Sequence, residues 1–82
     1  MNDELHDNDL RFEIGRKNFV RAAQIATLLG LSVDKIRDLQ LEAIWQMAAI
    51  NRNASGFKHL TREYGIKKDD FKKYLKDRAR ER

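Results

Sequence analysis

Eighty-two residues with a formal net charge of +4, 41% apolar and 37% charged side chains are enough for one domain with one modest core. The absence of cysteine excludes a disulfide framework and a thiolate metal site, and no stretch approaches the roughly eighteen apolar residues of a membrane span. No apolar run follows a basic start in the first twenty residues, so no secretory signal is expected and the reading is a soluble, cytoplasmic protein without a membrane partner.

With no proline, four glycines and no alternating β-branched runs, the chain is expected to be all-α, a compact bundle of four to five short helices. Residues 1–8 read as a flexible acidic N-terminus, 9–80 as a single helical domain and 81–82 as a frayed end. A short helical turn is expected from Asp9 to Ile14, with Leu10 and Ile14 on one face. The next helix is expected over Asn18 to Leu29, where Phe19, Ala22, Ala23, Ala26 and Leu29 form one stripe and Gly30 ends it. Ser32 is a good N-cap for the longest helix, Val33 to Ile50. That helix is apolar over much of its circumference, and Trp45 within it reads as a core anchor. Residues 51–56 read as a loop in which Asn53 or Ser55 can cap a short helix from Phe57 to Tyr64, closed by Gly65. The last helix is expected from Lys68 to Arg80 with Phe71, Tyr74 and Leu75 inward. After Leu75 no large apolar residue remains, so the tail from Lys76 is expected to project into water and fray.

One pattern occurs twice, thirty-five residues apart: Ile25 to Leu39 around Gly30, and Leu60 to Tyr74 around Gly65. Aligning the two glycines pairs Ile25 with Leu60, Leu29 with Tyr64, Leu31 with Ile66, Ile36 with Phe71 and Leu39 with Tyr74. Each copy thus describes two helices joined by a tight turn whose glycine takes a positive φ and whose flanking apolar residues plug the corner. Both copies resemble the helix-turn-helix of bacterial and phage DNA-binding proteins. That resemblance implies that the exposed start of the second helix of a pair enters the major groove.

Charge separates the two copies. In the first, Asp34, Asp38 and Glu42 make an acidic stripe that would be driven against phosphate, so this copy reads as architectural. The second presents Lys67, Lys68, Lys72, Lys73 and Lys76, with Lys58 and Arg62 on the preceding helix, and these seven are the candidate DNA-binding residues. Bidentate base readers are scarce here and lysine is a poorer one, so the expected contact is electrostatic. The function this implies is a small DNA-binding regulator of duplex DNA, with a homodimer needed for useful affinity.

The second reading is a helical protein-interaction module. Residues 1–15 hold five acidic side chains against one basic, and residues 57–82 hold ten basic against five acidic. Such opposite ends suit an acidic protein partner or a homodimer, with no nucleic acid involved. The lysines could also be a plain solvated face, with Asp69–Lys73 and Lys73–Asp77 pairing along the helix. No catalytic role, cofactor or metal is expected. There is no glycine-rich phosphate loop and no nucleophile–base set, His6 stands alone in the acidic head, and His59 reads as a surface residue near Glu63.

Overall fold

The computed structural model describes residues 7–80. Among them the chain is all-α: α1 is Asp7–Gly15, α2 Phe19–Leu28, α3 Val33–Trp45, α4 Ala54–Tyr64 and α5 Lys68–Arg80, with a π-helical segment, Gln46–Ile50, after α3. The chain divides into two compact units, Met1–Ala43 and Ile44–Arg82, and each holds one of the two glycine corners. The acidic head expected over 1–8 lies mostly outside the described residues, as does the frayed end at 81–82; Asp7 and Asn8 form the first turn of α1.

In the first unit, Leu10 of α1, Ala22, Ala23, Ile25 and Ala26 of α2, and Leu39 of α3 are buried together. Ile14, Phe19, Leu29, Leu31 and Ile36 pack around them. α1 packs against α2, and three of the four buried α2 side chains are alanines. Asn18 caps α2 by accepting from the Arg21 N–H at 3.5 Å. Ser32 caps α3 by accepting from the Lys35 N–H at 3.2 Å.

The Gly30 corner, at φ 71°, is a Schellman closure: the Gly30 N–H donates to the Thr27 carbonyl and the Leu31 N–H to the Ala26 carbonyl, both at 3.1 Å. α1 ends by the same device, with Lys17 N–H to Ile14 and Asn18 N–H to Glu13, both at 2.9 Å. Here the left-handed residue is Lys17, at φ 61°.

In the second unit the π-helical segment packs against α4. The sequence reading of one regular helix to Ile50 is corrected. From Gln46 the helix widens, the Asn51 N–H reaches back to the Gln46 carbonyl at 3.0 Å, and Ala48, Ala49 and Ile50 are exposed. Arg52 then turns left-handed at φ 50° and the Asn53 N–H donates to the Met47 carbonyl at 2.9 Å, which reverses the chain into α4. α4 also starts earlier than expected, at Ala54, because Asn53 caps it by accepting from the Gly56 N–H at 2.9 Å. Gly56 is therefore helical and not part of a loop. A Cβ there would meet the Met47 sulfur at 2.8 Å, so glycine is what lets Met47 lie against α4.

Candidate nucleic-acid interface

The second corner is the first one repeated. Gly65 sits at φ 66°, its N–H donates to the Arg62 carbonyl at 3.2 Å, and the Ile66 N–H donates to the Thr61 carbonyl at 3.1 Å. The buried pair Leu60 and Ile66 holds the corner from inside. Phe57 on α4 meets Phe71 on α5 edge to face at 5.4 Å, and Phe71 stacks on Tyr74 at 6.1 Å. The start of α5 is capped differently from that of α3. Lys67 has no capping side chain, and instead Asp70, three residues on, accepts from the Lys67 N–H at 3.3 Å. Asp70 is thus held to the backbone, while the Lys67 side chain points outward into solvent.

All seven candidate residues are exposed, and among the described residues none of their side chains forms an ion pair. The local Asp69–Lys73–Asp77 pairing is not formed. The Glu13–Arg16 ion pair is present at 3.7 Å, and the His59 imidazole approaches the Glu63 carboxylate at 3.1 Å.

The seven divide by position. Lys58 and Arg62, four apart on α4, join Lys67 around a shallow groove at the corner, with Phe57, Thr61 and Ile66 among its lining. Lys68, Lys72 and Lys76 follow one another at four-residue spacing along α5, nearly one per turn. Lys73 lies beside this line, three residues before Lys76, with Asp69 and Asp77 four residues to either side.

Arg80 was missed by the sequence reading. It continues the Lys68–Lys72–Lys76 line by another four residues and is exposed, giving a row about 18 Å long. The i+4 spacing was the available signal, but the expectation of a frayed tail hid it. α5 runs to Arg80, the bound expected for it. Its end is tied down by Arg78, whose guanidinium covers the Trp45 ring and donates to the Tyr74 hydroxyl at 2.8 Å. Trp45 is accordingly half-buried under a cation and not enclosed, and Leu75, expected inward, is 39% exposed.

In the first unit the exposed residues after the corner are of another kind. Val33 is 77% exposed, Asp34 and Asp38 are exposed, and Glu42 is half-buried. Among the described residues no group of three or more His, Asp or Glu side chains could hold a metal ion. No helix there is long and apolar enough to cross a membrane.

No protein-family model, no curated protein and no solved structure matches this chain.

Proposed function

We propose that this chain is a small DNA-binding protein, a regulator that grips duplex DNA through α5 and holds it by phosphate contacts. The observation that carries the reading is the row Lys68, Lys72, Lys76 and Arg80, exposed along one helix and not neutralised by carboxylates among the described residues. A row of cations rising by about 6 Å per step can follow a phosphate backbone, and each contact releases condensed counterions. Lys58, Arg62 and Lys67 extend the positive surface across the corner.

The start of α5 does not suit deep insertion into the major groove. Its first turn offers Lys68, Asp69 and Asp70, with no Arg, Asn or Gln to read a base edge. Asp69 is an exposed carboxylate that phosphate would repel. The binding mode is therefore α5 lying along the backbone, with little preference for sequence. A binding role in place of catalysis is part of the same proposal.

The test is binding to a mixed-sequence duplex across a series of salt concentrations. Replacing Lys68, Lys72 and Lys76 by alanine keeps good helix formers on α5 and removes three contacts. The slope of log K against log salt should flatten by about 2.7, at about 0.9 per phosphate. A triple variant that binds with unchanged affinity and slope rejects the assignment, as does a wild-type chain that ignores DNA at low salt.

A further inference from the structure

The groove at the second corner has a chemistry that a phosphate contact does not require. Its floor includes Phe57 and the buried Ile66, and its rim carries three cations, Lys58, Arg62 and Lys67, with no carboxylate among the lining residues. The Thr61 hydroxyl is already turned onto the Phe57 carbonyl at 2.6 Å. A Cβ built on Gly65 meets nothing within 4 Å, so nothing obstructs the mouth there. Phosphate alone would leave the aromatic floor in water. A ligand that satisfies both parts carries an apolar side chain among several negative charges.

The chain itself contains such a segment. Residues 3–9, Asp3-Glu4-Leu5-His6-Asp7-Asn8-Asp9, place four carboxylates around one leucine and include no lysine or arginine. We infer that this acidic segment of a second copy of the chain docks in the groove of the first, with Leu5 against Phe57 and Ile66 and the Asp3, Glu4 and Asp7 carboxylates facing Lys58, Arg62 and Lys67. The charges are complementary, and opposite signs pair across the contact. The contact joins two unlike surfaces, so a pair joined by one contact keeps one open groove and one undocked acidic segment. Docked once, such a pair grows head to tail; docked reciprocally, with each segment in the other's groove, it closes as a two-fold dimer. The docking uses the corner residues and leaves the row on α5 uncovered.

The test is the mass of the full chain in solution, measured by light scattering over a range of concentrations at about 50 mM and about 500 mM salt, which bracket the onset of strong screening. At low salt the mass should climb with concentration to at least twice the monomer value of 9.7 kDa, and at high salt it should return to the monomer value. Leu5→Ser disables the segment and Arg62→Glu disables the groove, so each variant alone should remain a monomer. Mixed in equal amounts they should form a dimer and nothing larger, since one intact segment meets one intact groove. Lys58→Glu serves as a second groove variant should Arg62→Glu lose helicity by circular dichroism. A wild-type mass of one chain at every concentration overturns the proposal. So does association that survives both variants, or a mixture that stays monomeric. The alanine triple variant at Lys68, Lys72 and Lys76 should associate like wild type, so failure of this proposal and failure of DNA binding are read separately.

Discussion

The Arg78 guanidinium lies 3.6 Å from the centroid of the Trp45 ring, close enough for cation–π stacking, and its Nη1 donates to the Tyr74 hydroxyl at 2.8 Å. This one side chain ties the last turns of α5, which bury no large apolar residue of their own, to an aromatic surface. Arg78→Ala should lower stability by about 1–2 kcal/mol, read as a lower urea midpoint. Arg78→Lys should recover only part of the loss, because an ammonium cannot both stack flat and reach the hydroxyl.

The three Schellman closures share one hydrogen-bond pattern, with glycine in the left-handed position at residues 30 and 65 and lysine at residue 17. Gly65→Ala should lower stability by about 1 kcal/mol from backbone strain alone, since the added methyl meets nothing. Lys17→Gly should act in reverse, raising stability by about 0.5–1 kcal/mol by relieving a lysine held at φ 61°. Thermal denaturation of the two variants should move in opposite directions.

Gly56 answers to contact and not to φ. Gly56→Ala sets a helix-propensity gain of about 1 kcal/mol against a Cβ only 2.8 Å from the flexible Met47 sulfur, so the net change should stay within about 1 kcal/mol. Adding Met47→Ala to that variant should remove part of the contact penalty, so a double-mutant cycle should show clear non-additivity.

Tyr64 is half-buried, and burial first, then the neighbouring Glu63 carboxylate, raises its pKa above the ordinary tyrosine value. The folded state therefore favours the neutral phenol, and the unfolded chain ionises at lower pH. The stability from this group is complete below about pH 10 and is lost as pH climbs through the folded value. Tyr64→Phe should flatten the alkaline limb of a plot of urea midpoint against pH.

The two glycine corners were legible because an apolar residue on each side of a glycine, repeated in register, admits few backbone solutions. The α5 boundaries, Lys68 to Arg80, and the cap by Ser32 also followed from the sequence, while Asn53 was one of two candidate caps, with Ser55. What was not legible depended on contacts distant in sequence or on residues that mask their conformation. Lys17 and Arg52 adopt positive φ without the glycine that would announce it. The π-helical segment has the composition of any helix, and its widening shows only in where Asn51 and Asn53 send their N–H groups. The tail was expected to fray because periodicity counts apolar residues, and Arg78 on Trp45 is a polar anchor that such counting overlooks. The seven cations were legible as a set, but their division into a groove, a row and Lys73 beside that row required the helix geometry.

Trp45 is the sole tryptophan of the chain, and the group stacked on it belongs to the helix proposed to meet DNA. Its intrinsic fluorescence is therefore a built-in gauge of whether the end of α5 is seated. Lifting Arg78 away bares the indole to water and shifts its emission to the red, so docking of α5 on a ligand can be followed optically without attaching a dye.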